Sequence, residues 1–294
     1  MTKWQGKSKS NPTGYKIFVF IINNIGIKAS YILLVFVAFY YFLFSIKTSK
    51  PIYNFYKTKL GFGTSKAVIY LFKNYFTLGQ VLIDKVALLA KIKTNFTFHS
   101  DGKHHLEQIV KSGKGGLFLS AHAGNWEAAG QMLEHINTFV NIVMFDGEDE
   151  NIKKYLDSVT GKRTFKIIYV KEDLSHIFQI KAALAANEIV CMHADRYLPG
   201  NKTLSASFLG EEAPFPYGPF LLSLKFDAPT VFVYAFKETS THYHFYSSAP
   251  QNYSKSNGDT EMSVLIDFIS DLENKVKKYP EQWFNYYDFY SHNH

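Results

Sequence analysis

The sequence predicts an α/β fold in which a mainly parallel central sheet is flanked by helices, with a hydrophobic helical membrane anchor at the N-terminus. After about residue 95, short apolar runs alternate with helical stretches, which is the pattern of successive βαβ units. Before residue 60, apolar residues are concentrated in runs almost free of charge. The chain is 47% hydrophobic and 17% aromatic, which excludes a disordered protein. We expect residues 1–60 to form a basic tail and membrane-associated helices, and residues 61–294 to form one α/β domain.

Two apolar runs near the N-terminus carry the membrane prediction. The first covers residues 17–22, and the second covers residues 29–46, eighteen residues without a formal charge. That length is at the lower limit for a helix that spans a bilayer. Lysines lie on both sides of the runs, so the positive-inside rule favours both ends on the cytoplasmic side. The pattern favours a helical hairpin inserted in one leaflet over a single span, with a buried core helix as the alternative.

The elements of the α/β domain follow from the spacing of apolar residues. Residues 64–93 and 261–278 have helical spacing. Helices are also expected at 126–136 and 178–186. Strands are predicted at 116–120, 139–144, 166–170, 188–193 and 229–236. The last helix should bury one face, which carries Met262, Leu265, Ile266, Ile269, Leu272 and Val276. A further strand with His242 and His244 is expected at the edge of the sheet.

Charge and cysteine content restrict the partners. The net charge is +7 and the isoelectric point is about 9.1, which suggests anionic lipid headgroups or an acidic carrier protein as partner. The lysines are dispersed and no nucleic-acid motif accompanies them, so no nucleic-acid partner is expected. The single cysteine, Cys191, excludes an internal disulfide and a cysteine-based zinc cluster, as in many cytoplasmic domains.

Residues 115–127, Gly-Gly-Leu-Phe-Leu-Ser-Ala-His-Ala-Gly-Asn-Trp-Glu, form the most informative segment. A buried strand runs into His122, and a glycine turn follows. A helix is expected to begin near Asn125, a residue type that favours the N-cap position. His122 would then lie at the carboxyl end of a strand, where open α/β sheets bind ligands. The free N–H groups of the helix start would suit a developing oxyanion.

Glu127 follows His122 by five residues across this turn. Its carboxylate can bend back to the imidazole, fix the tautomer and stabilise the imidazolium. With no serine or cysteine nucleophile in the pair, the nucleophile would be a hydroxyl or amine of an acceptor molecule, deprotonated by His122. The alternative to a catalytic pair is a purely structural role, in which His122 ends a strand and the charge of Glu127 interacts favourably with the helix dipole.

The His-x-x-x-x-Glu pattern from His122 to Glu127 resembles the motif of the lysophospholipid acyltransferase superfamily. Its Asn-Trp-Glu resembles the lipid A biosynthesis branch, the late (secondary) acyltransferases. Further blocks of this branch are matched in order by residues 194–196, 208–219, 227–231 and 279–283. The resemblance covers roughly residues 60–284.

The resemblance implies a glycerolipid acyltransferase-like fold in which His122 is the general base and Glu127 its partner. It further implies that substrate is bound by Gly124, Asn125, Asp195, Arg196 and Gly218. The implied donor is a thioester of acyl carrier protein or CoA, the implied acceptor is a membrane lipid, and no metal or cofactor is needed. The implied location is the cytoplasmic face of the inner membrane.

Two departures from the branch affect the acceptor. Met144-Phe145-Asp146 stands where the branch has Tyr-Arg-Pro, and residues 284–290, Phe-Asn-Tyr-Tyr-Asp-Phe-Tyr, stand where the tail of the branch runs into Trp-x-His-Arg-Arg. Arg163 and Arg196 are the only arginines of the sequence. Lysines supply charge but not bidentate phosphate binding, so weak binding of a doubly phosphorylated glycolipid is expected. A lipid A-like glycolipid remains the expected acceptor. The alternatives are an aminolipid or pigment acceptor, a thioesterase-like hydrolase, or a non-catalytic lipid-binding protein. His193 is expected, on balance, not to line the pocket.

Overall fold

The computed structural model describes residues 12–125, 128, 138–145 and 165–290. In this part of the chain, a seven-stranded sheet carries helices on both faces, and a separate two-stranded hairpin lies beside it. Every strand pair in the large sheet is parallel except β8–β9, so the predicted mainly parallel α/β fold is confirmed.

The described helices and strands run as follows. The helices are α1 Pro12–Asn24, α2 Ile27–Phe44, α3 Ile46–Asn54, α4 Thr64–Leu89, α5 Lys103–Ser112, α6 Ser175–Ala185, α7 Tyr217–Lys225 and α8 Glu261–Lys278. The strands are β1 Thr97–Asp101, β2 Gly116–Ser120, β3 Val140–Met144, β4 Lys166–Tyr169, β5 Ile189–His193, β6 Thr203–Phe208, β7 Glu211–Pro216, β8 Thr230–Lys237 and β9 His242–Ser247.

The strand order in the large sheet is β1-β9-β8-β2-β5-β3-β4. The five predicted strands agree with β2, β3, β4, β5 and β8 to within one residue at each end. The prediction that the strand of His242 and His244 forms the edge is wrong, because β1 pairs with β9 in parallel and is the edge strand itself. The predicted helix at 126–136 falls almost wholly outside the described residues.

The core has two layers because alternate residues of a strand point to opposite faces of the sheet. Along β2, Leu117 and Leu119 join a large cluster with residues of α4, α6 and α8. Phe118, between them, joins a smaller cluster on the other face with Leu106 and Ile109 of α5. Because β2 is covered on both faces, its sequence is a nearly continuous apolar run.

Helix α8 buries a slightly different face from the predicted one. Leu265, Ile269, Leu272 and Val276 are buried as predicted, and Val264 and Phe268 complete the buried face. Ile266 was predicted to be buried but is 55% exposed. Neighbouring helical positions are separated by about 100° around the axis, and the buried face lies on the Leu265 side.

The N-terminal helices α1 and α2 are separated only by Ile25 and Gly26. Within the described residues, α2 is the helix long and apolar enough to cross a membrane. Its buried residues are Ser30, Tyr31, Leu34 and Ala38. The alternative of a buried core helix is therefore wrong, because most of this helix faces away from the protein.

Candidate active site

His122 follows β2, the middle strand of the seven-stranded sheet. Strand β2 is fully buried and pairs in parallel with β5, with Ser120 opposite His193. The N–H of Ala194 donates to the Ser120 carbonyl at 2.8 Å and extends this pairing beyond the strand ends. Because His122 and Asp195 each follow their strand by two residues, the pairing places them side by side at the carboxyl edge of the sheet.

Asp195 holds both the backbone and the ring of His122. One carboxylate oxygen, Oδ2, accepts the His122 backbone N–H at 2.9 Å, and the other, Oδ1, lies 2.7 Å from the ring Nδ1. A carboxylate accepts hydrogen bonds, so Nδ1 carries the proton in this pair. The ring Nε2 of the neutral imidazole is then the atom that can accept a proton. The His122 side chain is 29% exposed, whereas Asp195 is almost fully buried.

The charges around this pair favour a neutral base beside an ionised carboxylate. Burial is the largest influence on His122 and, with the charge of Arg196, lowers its pKa below the ordinary 6.5, although Asp195 raises it. Burial raises the pKa of Asp195, but the neighbouring His122 and Arg196 outweigh this effect and hold the pKa far below its usual value. At neutral pH, His122 is therefore ready to accept a proton and Asp195 to stabilise the imidazolium that forms.

His193 also belongs to this group, contrary to the expectation that it would not line the pocket. Its ring centroid lies 4.3 Å from that of His122, at an angle of 31°. Burial, and after it the charge of His122, lowers the pKa of His193 to about 3. His193 is thus a neutral polar neighbour that leaves the positive charge to His122.

The turn after His122 is held by backbone hydrogen bonds from two distant segments. Gly124 N–H donates to the Gln282 carbonyl at 2.9 Å, and Asn125 N–H donates to the Ala235 carbonyl at 2.7 Å. The His122 carbonyl accepts the N–H of Phe284 at 2.9 Å. The C-terminal segment of Gln282 and Phe284 therefore fixes the backbone of the candidate base.

Asn125 has the hydrogen bond of a helix N-cap. Its Oδ1 accepts the N–H of Ala128, three residues later, at 3.1 Å. Its Nδ2 donates to the Tyr243 hydroxyl at 3.1 Å. Glu127 lies outside the described residues, so its pairing with His122 stays a prediction, as does an oxyanion site at this helix start. The described partner of His122 is Asp195.

The other residues predicted to bind substrate occupy different places. Arg196 donates from Nη2 to the Phe284 carbonyl, which ties it to the segment that fixes His122. Gly218 is an exposed residue in the first turn of α7. Its backbone is helical, and its role in substrate binding stays a prediction.

Gly124 is required by its conformation and by its surroundings. Its φ is +70°, and a Cβ added there would lie 2.0 Å from the Ala235 carbonyl oxygen, the acceptor for Asn125. Gly210 has a φ of +83° with no such neighbour. A left-handed alanine costs about 1–2 kcal/mol at either position, and overpacking adds about 1–3 kcal/mol at Gly124 alone.

We therefore expect Gly124→Ala to lower the free energy of unfolding by about 1–3 kcal/mol more than Gly210→Ala. Denaturant unfolding of the two purified variants beside the unmodified protein measures this difference. Equal losses for the two variants would show that the contact with Ala235 does not constrain the turn.

Two groups of described residues bring together side chains that can ligate a metal. His122, His193 and Asp195 form one group, and His99, Asp101 and His244 form the other, each with donor atoms within 4.8 Å of one another. In the first group, the Nδ1 of His122 and the carboxylate of Asp195 already satisfy each other. The expectation that the chain needs no metal or cofactor for its reaction stays a prediction.

The signal that could have found the contact between Asp195 and His122 is that each residue follows the end of its strand by two residues. Using this signal requires the knowledge that β2 and β5 are neighbours, although β3 and β4 lie between them in the sequence.

Comparison with known proteins extends the sequence resemblance. Residues 71–286 match the model of the family described as bacterial lipid A biosynthesis acyltransferase. A stretch of 126 residues is 25% identical to the phosphatidylinositol mannoside acyltransferase of Mycobacterium tuberculosis. The stretch covers 42% of this chain and 39% of that relative, so the match spans less than half the length of the relative.

Proposed function

Since this chain belongs to the bacterial lipid A biosynthesis acyltransferase family, we propose that it transfers a fatty acyl group from an acyl carrier protein thioester to a hydroxyl of a membrane glycolipid precursor. His122 is the general base of this reaction. The hydrogen-bonded pair of His122 and Asp195, at the carboxyl edge of a parallel sheet, is the observation that carries the proposal.

The proton transfers follow from the tautomer of His122. The Nε2 atom accepts the proton of the acceptor hydroxyl while that oxygen attacks the thioester carbonyl. Asp195 stabilises the imidazolium through Nδ1–H, as the carboxylate does in other base–orienter pairs. When the tetrahedral intermediate collapses, the C–S bond breaks and the leaving thiolate takes the proton from Nε2. The base is then neutral for the next cycle. Trp126 and Glu127, between the base and Ala128, are outside the described residues.

The outer face of α2 supports membrane association. Ile32, Phe36, Tyr40 and Phe44 are each more than half exposed on a helix whose other side packs on α4. A contiguous row of exposed apolar side chains marks a membrane or protein contact. Lys47 and Lys50 are exposed just beyond the end of α2, where they can bind anionic headgroups.

The attachment of α2 to α4 supports one manner of membrane association. Tyr31 near its start donates to Asp84 of α4, and Tyr41 near its end stacks on Tyr75 of α4 with ring centroids 6.3 Å apart. The helix is thus antiparallel to α4 over most of its length. We infer that α2 lies along the cytoplasmic surface of the inner membrane and inserts its outer face, as interfacial helices do.

The choice of a glycolipid acceptor rests on family membership and on the relative, whose name indicates that it acylates a glycolipid. Within the described residues, Arg196 is the one arginine near the site, and it is held by the Phe284 carbonyl. A doubly phosphorylated acceptor would require further cations, so an acceptor with hydroxyl-rich sugars and little phosphate agrees better with these residues.

Two assays together test this function. In the native host, lipid mass spectrometry should show one glycolipid class that lacks one acyl chain when the gene is deleted and regains it on complementation. In vitro, the purified protein with acyl carrier protein thioester should form product only when the host lipid fraction is added. Release of free fatty acid at the same rate without lipid would indicate a hydrolase. No turnover, together with an unchanged lipid profile, would indicate a lipid-binding protein.

A further inference from the structure

A second group of ionisable side chains lies on the β1 edge of the sheet, apart from the candidate active site. His99 and Asp101 alternate along β1, so both project from the same face of the sheet. His244 of β9 is the register partner of His99 on the adjacent parallel strand. Three potential metal ligands are therefore positioned by strand geometry.

Two donor–donor distances within this group are close to those of a metal site, and all three donor atoms lie within 4.8 Å of one another. Asp101 Oδ1 lies 3.4 Å from His99 Nε2, and Asp101 Oδ2 lies 3.0 Å from His244 Nε2. In a tetrahedral zinc site with ligands at 2.0–2.2 Å, donor atoms are roughly 3.4 Å apart. The three side chains can therefore bind one ion with only small movements.

His244 is oriented as a metal-ligating histidine would be. Its Nδ1 lies 3.1 Å from Glu238 Oε1, which also accepts the Tyr279 hydroxyl at 2.6 Å. Metal-bound histidines generally donate the second ring N–H to a carboxylate in this way. With Nδ1 as the donor, Nε2 presents a lone pair toward Asp101 and His99.

The environment of that Nε2 atom favours a bound cation. The atom is buried and makes no hydrogen bond to any of the described residues, although Asp101 Oδ2 is 3.0 Å away. A lone pair this close to a carboxylate oxygen is repelled by it. A divalent cation between the two atoms would convert the repulsion into coordination.

We propose that His99, Asp101 and His244 form a binding site for a divalent transition metal, with Glu238 positioning His244. Two imidazole nitrogens and one carboxylate favour Zn²⁺ over Mg²⁺ or Ca²⁺, which prefer oxygen ligands. His99 and Asp101 are 62% and 57% exposed at their side chains, so water can complete the coordination. The proposal is independent of the proposed acyl transfer.

Zinc titration of the tag-free, metal-free full-length protein with a competing chromophoric chelator tests the site. We expect one equivalent of Zn²⁺ to bind. The affinity should fall at least about tenfold in both His99→Ala and His244→Ala, because loss of a residue that only orients a ligand already weakens metal binding by about 10–100-fold, and loss of the ligand itself should weaken it at least as much. Glu238→Gln, which keeps the shape of the partner but not its charge, should weaken binding by less. The exposed His104→Ala is the matched control and should leave binding unchanged.

The titration also distinguishes this site from the other group of potential ligands. His122→Ala should retain the Zn²⁺ affinity of the unmodified protein. If His122→Ala abolishes binding, the ion binds at the candidate active site and the proposal is wrong. If the unmodified protein binds no Zn²⁺, or if His99→Ala and His244→Ala bind as tightly as His104→Ala, the group is only a set of surface ion pairs.

Discussion

His122→Ala is expected to lower kcat for acyl transfer by about 10²–10⁴-fold, the contribution of a positioned general base. KM for the acyl donor should change little, because His122 acts on the acceptor proton and not on the thioester chain. Steady-state kinetics with acyl carrier protein thioester and the acceptor lipid measure both constants. His104→Ala, an exposed histidine on α5, is the matched control and should keep full activity.

Asp195→Asn tests whether His122 acts together with its partner. The amide keeps the size of the side chain but removes the negative charge that stabilises the imidazolium, so kcat should again fall by orders of magnitude. Because residues that act as a unit are not additive, the double variant His122→Ala/Asp195→Asn should be no slower than His122→Ala alone. The proposal that His122 and Asp195 act as one catalytic unit would be wrong if the loss of kcat in the double variant equalled the product of the two single losses, or if His122→Ala kept full activity.

The sequence was sufficient for the elements with continuous or periodic apolar patterns. Strand β2 buries a short continuous run, helix α8 buries an apolar face with helical spacing, and both were predicted within one residue of their ends. Strand β1 was missed because its sequence, Thr-Phe-His-Ser-Asp, is polar and largely exposed at the sheet edge. The position of β9 was wrong for the same reason, since a strand cannot be recognised as internal while its neighbour is unrecognised.

The candidate site was predictable only where it is local in the sequence. The strand, the glycine turn and the N-cap Asn125 lie in one segment, so the placement of His122 could be predicted without the fold. Asp195 contacts that segment because β2 and β5 are neighbours in the sheet. Gln282 contacts it because the C-terminal part of the chain packs against the turn after His122. Such contacts depend on long-range topology, which no local spacing encodes. The resemblance placed Asp195 among the substrate-binding residues and left its contact with Nδ1 of His122 unspecified.

A buried ion pair lies within a network that joins α2 to the sheet and to the turn after His122. Lys237 Nζ of β8 lies 2.5 Å from Asp84 Oδ2 of α4, and both side chains are almost fully buried. Asp84 also accepts the hydroxyl groups of Tyr31 in α2 and Tyr243 in β9. Tyr243 in turn accepts the side-chain N–H of Asn125 beside the candidate base. The network thus connects α2 to the turn after His122 through hydrogen bonds alone.

Lys237→Met is expected to lower the free energy of unfolding by about 3–5 kcal/mol, the cost of leaving one buried charge without its partner. Methionine matches the length of the lysine stem, so the loss measures the charge more than the packing. Thermal or denaturant unfolding in detergent gives the value. The exposed pair of Lys114 and Asp227, 2.7 Å apart, is the matched control, and Lys114→Met should cost no more than about 1 kcal/mol.

A second substitution distinguishes an unpaired charge from general damage to the core. If the loss in Lys237→Met comes from the stranded Asp84 carboxylate, then Lys237→Met/Asp84→Leu should be more stable than Lys237→Met, because replacing a whole buried pair by apolar residues is often neutral. Tyr31 and Tyr243 then lose an acceptor, so recovery should be partial. A double variant that is less stable than Lys237→Met would show that the hydroxyl network, and not the ion pair, holds α2 and the turn after His122 to the sheet.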